Sequence, residues 1–433
     1  MVDRFVNFFT SLRLTVVCLC LAILLVFFGT LAQVRLGLYA VQSEFFRSFL
    51  IYWTPQGAHW KIPVFPGGWL IGVVLLMNLL AAHIKRFNFG RRHFGILLVH
   101  AGLILLLAGQ FVTEIAQIES QMRIEVGGTT SFSEDARKNE LVVIDVTDPD
   151  KDRVVAISES RLAAGGEIRA PDLPFVLRVE KYLPNSTPAG PMSGEAEKIK
   201  AGNGIGQRLF FSPVPVTRRM DDENKPAAVV QVVSDKGPIG EWTVSTWFTR
   251  YPWFEALQQN VGALLPGVSL SDPQSFSCKG RSYQIALRPV RYYKPYSITL
   301  LAFNHDIYPG TDIPKNFSSK IHLHDPSAGE DRDILIYMNN PLRYRGETFY
   351  QASFEEGDRG TILQVVRNPA SLAPYIACSL VALGLVVQFL SHLFRFARKR
   401  AQQTIPVGAQ VHSAAPPLAP ALANGANGKR SRL

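Results

Sequence analysis

Four apolar runs without a single Asp, Glu, Lys or Arg constrain this chain more than any other feature: Leu14 to Leu31, Trp69 to Ile84, Phe94 to Val112 and Pro374 to Phe394. Each is about the length an α-helix needs to cross ~30 Å of hydrocarbon. Soluble core helices of that length carry charge on an outer face, and a charge at the bilayer centre costs several kcal/mol. Four membrane-spanning helices are the expectation. A cleaved signal peptide is the rival for the first run, but the apolar stretch is longer than a signal core and the small-residue site at Thr30 to Ala32 is weak.

The formal net charge of +10 would suit a nucleic-acid partner if the basic residues were spread over a folded surface. They cluster beside the apolar runs instead, so no nucleic acid is expected. Lys85, Arg86, Arg91 and Arg92 fill the short loop between the second and third runs, and Arg395, Arg398, Lys399 and Arg400 follow the fourth. Both segments read as cytoplasmic by the positive-inside rule. The expected layout is a cytoplasmic N-terminus 1–13, spans at 14–33, 69–84, 94–112 and 374–394, an outer loop 34–68, a basic cytoplasmic loop 85–93, a large outer domain 113–373 and a disordered cytoplasmic tail 395–433. Trp53, Trp60 and Trp69 suit the interfacial aromatic belt.

Between the third and fourth runs, short segments alternate apolar and polar residues and are punctuated by Gly, Pro, Asp and Asn, which is strand patterning. Leu141 to Val146, Phe175 to Val179, Ala228 to Val233, Tyr283 to Leu287, Ser297 to Phe303, Asp333 to Tyr337 and Thr361 to Val366 are the clearest strands. The fold class is therefore a membrane protein with four transmembrane α-helices plus a large, mainly-β, sandwich-like extracytoplasmic domain. Pro188 to Gly206 reads as a mobile excursion from the sheets, and Phe254 to Leu265 as a possible helix. Cys18, Cys20 and Cys378 lie in apolar runs, which leaves Cys278 alone in the domain, to be buried or used.

The third run, FGILLVHAGLILLLAGQ from Phe94, holds the clearest chemical candidate. Gly95, Gly102 and Gly109 recur at the seven-residue spacing that puts them on one helix face, where small residues let another helix approach closely. His100 projects away from that stripe among Ile96, Leu103, Ile104, Leu107 and Phe111. The imidazole would meet lipid, a second protein, a cofactor, or a hydrogen-bonding neighbour helix. Neutral imidazole is a ligand for haem iron, and a wall of Leu, Ile and Phe suits a flat macrocycle. His93 lies on the same face at the cytoplasmic edge and His83 ends the second run, while Lys85, Arg86, Arg91 and Arg92 could meet propionates or only set topology. Six residues after Phe94, His100 sits roughly 9 Å into the helix, a shallow position on the cytoplasmic side.

Candidates in the domain are weaker. His322 and His324 share a strand face and could chelate a metal, though no Cys or third His lies near them in sequence. His305 and Asp306 follow a strand and read as a turn. A buried free thiol is the common reading of Cys278. The chain has no Cys-x-x-Cys-His, Cys-x-x-Cys, Walker loop, Gly-x-Ser-x-Gly or His-Glu-x-x-His.

Three segments resemble the ResB (CcsB) family of system II cytochrome c biogenesis: FFTSLRLTVV at 8–17, LVHAGLI at 98–104 and, most specifically, NPLRYRGETFYQASF at 340–354, just before the fourth run. The resemblance implies a membrane subunit of the ResC (CcsA) type carrying a tryptophan-rich motif that this chain lacks. With that partner the chain would bind haem b, move it outward and present it to apocytochrome c, alongside a thioredoxin-like apocytochrome reductant, in a bacterial inner membrane. It implies that His100 is a haem axial ligand, so that haem iron is the metal it holds, and gives His83, His93, Arg91, Arg92 and Cys278 lesser roles in cofactor binding. The partner would supply the second axial ligand. No catalytic residue is assigned, and any synthase activity would belong to the complex. Two alternatives stay open at this point, a haem transporter acting alone and a membrane-anchored sensor or scaffold.

Overall fold

The computed structural model of the chain describes residues 7–55, 60–86, 94–189, 199–207, 209–217, 223–250, 273–310 and 314–403. Four of its helices are long and apolar enough to cross a membrane: α1 (Leu12–Leu36), α2 (Gly68–Arg86), α3 (Phe94–Ala116) and α4 (Ala373–Gln403). The expected tail beyond 403, the basic loop residues 87–93 and the expected helix at Phe254 to Leu265 lie outside the described residues.

Close packing of α3 on α4 follows from the glycine stripe. A Cβ built on Gly95 would lie 2.8 Å from the Gly384 carbonyl oxygen, and one on Gly102 would lie 2.7 Å from that of Ala377. Gly384 returns the contact, with its own Cβ position 2.7 Å from the Gly95 carbonyl oxygen. Those distances fall well below ordinary contact, so any side chain at these positions would push the two backbones apart. A different device joins α1 to α2. Asn78 is buried in α2 and its side chain donates to the carbonyls of Phe9 (2.7 Å) and Ser11 (3.2 Å) and accepts from Thr15 Oγ1 (2.6 Å). In hydrocarbon an amide left unpaired is costly, and this one closes its bonds on the partner helix.

The α3/α4 pair runs directly into the sheet of the domain. Strand β1 (Ile118–Glu125) leaves α3 and pairs antiparallel with β12 (Gly360–Arg367), the last strand before α4, from Ile118↔Arg367 to Glu125↔Gly360. Thr113 and Asn368 hydrogen-bond across the junction at 3.2–3.3 Å. Helix pair and strand pair thus form one continuous antiparallel unit.

The remaining main strands are β2 (Thr129–Asp145), β3 (Val176–Leu183), β4 (Ala227–Ser234), β5 (Gly237–Ser245), β6 (Gln274–Cys278), β7 (Arg281–Ile307), β8 (Pro314–Asp325), β9 (Glu330–Tyr337), β10 (Leu342–Tyr344) and β11 (Glu347–Phe354). The larger sheet has the order β9-β8-β7-β2-β1-β12-β11-β10, with β6 added on β7 and Arg153–Ser158 on β2. A smaller sheet, β5-β4-β3 with Gly166–Ile168, faces it across a core of Leu141, Val143, Leu177, Val230, Trp242 and Leu287, which is sandwich packing. The other half of the large sheet curls on itself, so that Ile336 of β9 and Phe349 of β11 share a second core with Ile298, Leu300 and Ile321.

Three local expectations change. Tyr283 to Leu287 and Ser297 to Phe303 are parts of one strand, β7, whose register shifts near Pro289 and again between Tyr293 and Ile298. Proline cannot donate to the ladder, so the strand bends there without ending. His305 and Asp306 do not form a turn. They belong to β7 and pair with Phe317 and Asn316 of β8. The described part of Pro188 to Gly206 is packed: Ile199, Ala201 and Ile205 are buried with Phe211 and Val229, because apolar residues spaced among the glycines supply a core face.

Polar groups in the second core are paired. Lys294, its side chain 3% exposed, places Nζ 2.8 Å from Glu347, which also accepts from the Tyr296 hydroxyl at 2.5 Å. Burial and the neighbouring Glu347 carboxylate push the Tyr296 phenol above its ordinary range.

Candidate functional site

His100 is half-buried on α3, and the structure sets its tautomer. Nδ1 lies 2.8 Å from the Ile96 carbonyl oxygen one turn earlier. A carbonyl only accepts, so Nδ1 carries a proton and Nε2 is the ring nitrogen left to bind a metal or another partner. The bond closes on its own helix, which leaves the ring's other edge for whatever faces it.

What faces it is His83. The two ring centroids are 6.1 Å apart with the planes 36° from parallel. The face opposite the glycine stripe therefore borders α2 of the same chain, and two residues weighed separately in the sequence form one pair. Antiparallel packing of α2 and α3 puts the last turn of one helix beside the first turns of the other, and so brings positions 83 and 100 to one depth.

Haem is cargo in the reading that the resemblance implies, and the residues present fit it. Metal–imidazole bonds are about 2 Å long, so a centroid separation of 6.1 Å is compatible in length with two rings on one metal centre. Among the described residues, no three His, Cys, Asp or Glu come together as a site for a bare ion. Haem iron brings four nitrogens of its own and needs only one or two from protein.

A cavity of about 490 Å³ opens at the far end of the same helix pair, lined by Trp69, Gly72 and Leu76 of α2 and by Leu107, Phe111 and Glu114 of α3. Gly72 precedes His83, and Phe111 follows His100, by eleven residues, which is three turns and roughly 16 Å of helix. Cavity and histidines therefore lie on the same two helix faces. Trp69 and Phe111 pack with ring centroids 5.4 Å apart and planes tilted by 60°, and Arg47 pairs with Glu114 at 2.6 Å on its rim.

The other sequence candidates lie elsewhere. Arg91, Arg92 and His93 fall outside the described residues. Lys85 Nζ bonds the Asn7 side chain at 2.5 Å, which ties it to the start of the chain. Cys278 ends β6 in the first core, 5% exposed, and burial is the main cause that pushes its thiol up. A raised thiol is a poor nucleophile and a poor ligand at neutral pH. His322 and His324 do share a face of β8, and both are taken by carboxylates of β9: His322 reaches Asp331 (2.7 Å) and Asp333 (2.9 Å), and His324 reaches Asp331 (3.3 Å).

Two polar groups inside the helices were not singled out from sequence. Asn78 clamps α1 to α2, and Gln388 of α4 lies against Gly95 and contacts His392 Nε2 at 2.9 Å. The available signal for both was a lone polar side chain in an apolar run.

Residues 279–362 match the model of the ResB-like family. That stretch runs from the β6–β7 turn to the start of β12 and contains the NPLRYRGETFYQASF segment. Protein NrfI of Wolinella succinogenes is 35% identical over 112 residues, which make up 26% of this chain and 12% of that protein's length.

Proposed function

On the premise of a ResB-like segment joined to four membrane helices, we propose that this chain is a cytochrome c biogenesis factor that receives haem in the membrane and passes it outward for attachment to apocytochrome c. The pairing of His83 with His100 carries the reading, because His100 presents Nε2 and His83 bounds the same site. A ligand in hydrocarbon that needs no bare-ion cluster suits a porphyrin iron.

In this reading the basic segments lie in the cytoplasm, the β domain lies outside, and haem enters from the shallow cytoplasmic end of α3. The shared faces of α2 and α3 then lead it toward the cavity beside Trp69 and Phe111. Four helices with no charge in their central turns offer little to a polar solute and much to an amphiphilic macrocycle. A membrane subunit of the ResC type completes the haem site and carries the tryptophan-rich surface this chain lacks. The β domain holds apocytochrome near the exit, where attachment needs a thiol positioned beside a haem vinyl group, a task of placement more than of side-chain chemistry.

Co-expression of the chain with such a subunit, purification in mild detergent and absorption spectroscopy test the proposal. A low-spin haem spectrum is expected, lost in His100→Ala, restored by added imidazole and altered in His83→Ala. A haem-free complex in cells that still mature c-type cytochromes would overturn it.

A further inference from the structure

A second imidazole, in the β domain, has the same preparation as His100 and no use in the function proposed so far. His305 sits near the end of β7, and its Nδ1 is 3.0 Å from Asp358 Oδ1. A carboxylate only accepts, so Nδ1 carries a proton and Nε2 is the ring nitrogen left for another partner. That Nε2 is buried and has no hydrogen-bond partner among the described residues. Leaving a buried polar atom unpaired costs about 1–3 kcal/mol, so the arrangement calls for a cause.

Its surroundings are aromatic. Phe354 lies 4.3 Å from the His305 ring centroid, Phe317 6.4 Å and Phe303 6.5 Å, and Phe303 stacks on Phe354 at 5.9 Å. All three phenylalanines are half-exposed. Ile307 and Tyr308 beside it are each 50% exposed and extend the apolar surface. Asp358 stands in a fixed turn: its own φ is +56°, its N–H donates to the Glu355 carbonyl at 3.1 Å, and Glu355 N–H donates to Gly360 at 3.0 Å. The carboxylate therefore orients the imidazole from a turn closed by backbone hydrogen bonds, and Phe354, the last residue of β11, is the ring nearest to it.

We propose that His305 is a second axial ligand for haem iron, in the β domain, exposed when Phe354 rotates off it. The chemistry fits one ligand class. A lone imidazole cannot hold a bare ion, a flat aromatic surface stacks on a macrocycle, and a carboxylate behind the ring raises its donor strength. The inference rests on the reading of haem as cargo and gives that cargo a station on the domain as well as in the membrane.

The test uses the full chain in detergent, titrated with ferric haem. The His83→Ala/His100→Ala double variant is expected to retain one haem, high-spin because a single imidazole is its only protein ligand, and adding His305→Ala is expected to abolish it. Imidazole in the buffer should restore it. Asp358→Asn should weaken binding by about 10- to 100-fold, the usual effect of removing the carboxylate behind a ligating histidine. Phe354→Ala, which keeps both His305 and Asp358, should speed association. If the double variant binds no haem while the wild type binds one, the inference is wrong and the intramembrane site stands. If neither binds haem, with or without a partner subunit, the reading of haem as cargo fails with it. If His305→Ala lowers stability but leaves haem stoichiometry unchanged, the dyad is only structural.

Discussion

Substituting Gly102 by alanine puts a number on the packing of α3 against α4. The new Cβ would stand 2.7 Å from the Ala377 carbonyl oxygen and 3.1 Å from Val381 N, both backbone atoms that no rotamer change can move. Ordinary contact begins near ~3.5 Å, so the helices must separate by roughly 0.8 Å, which forfeits a quarter to a half of the dispersion energy along the seam. Overpacking of this kind costs about 1–3 kcal/mol. Alanine also gains ~1 kcal/mol over glycine in helix propensity, which would mask part of the loss. Gly72→Ala removes that ambiguity, because its Cβ meets nothing within 4 Å and it makes the same propensity gain in α2. The difference between the two variants therefore isolates the clash, and Gly102→Ala should be the less stable by about 1–3 kcal/mol. Unfolding in mixed micelles of rising dodecyl sulfate content, followed by far-ultraviolet circular dichroism, measures it. Equal midpoints for the two variants would refute the close-approach argument.

Three further outcomes follow from the domain. Glu347→Ala strands the buried Lys294 ammonium and the Tyr296 hydroxyl and should cost about 3–5 kcal/mol in chemical unfolding, with Glu347→Gln milder; a loss under ~1 kcal/mol would mean that the pair is solvated. The hydrogen bond to Asp333, with Asp331 beside it, raises the His322 pKa, so the folded value lies above the unfolded one. Its stabilisation is full below pH ~6.5 and fades as pH rises through the folded value, so the melting-temperature gap between wild type and His322→Gln should be widest in acid; a gap that grows with pH contradicts this. In a background lacking Cys18, Cys20 and Cys378, Cys278 should resist maleimide in the native state and label on unfolding, and fast native labelling would show that the thiol is reachable.

Much of the helical layer was legible because the bilayer imposes a one-dimensional rule. Length, absence of charge and spacing of small residues mark Leu14 to Leu31 or Phe94 to Val112 without any knowledge of neighbours, and Gly95, Gly102 and Gly109 already announced a packing face. Strand patterning exposed the β character of the domain equally well, since side chains alternate with period two wherever one face is buried. It did not show that β7 runs unbroken for 27 residues through two prolines, because a proline reads as a stop unless the partner strand is known to bulge with it.

The candidate sites divide along the same line. His100 was visible as a polar ring in an apolar run, and its chemistry as an iron ligand followed from residue type. Only the tertiary structure decided that His83 stands 6.1 Å away, and that His305 belongs to a strand with Asp358 behind it and Phe354 across it. Residues 83 and 100 stand on two different helices, and 305 and 358 on elements far apart in the chain, so neither meeting is set by a single segment. Local periodicity carries no information about such pairings, because what holds them is the packing of whole elements and not the propensity of any segment.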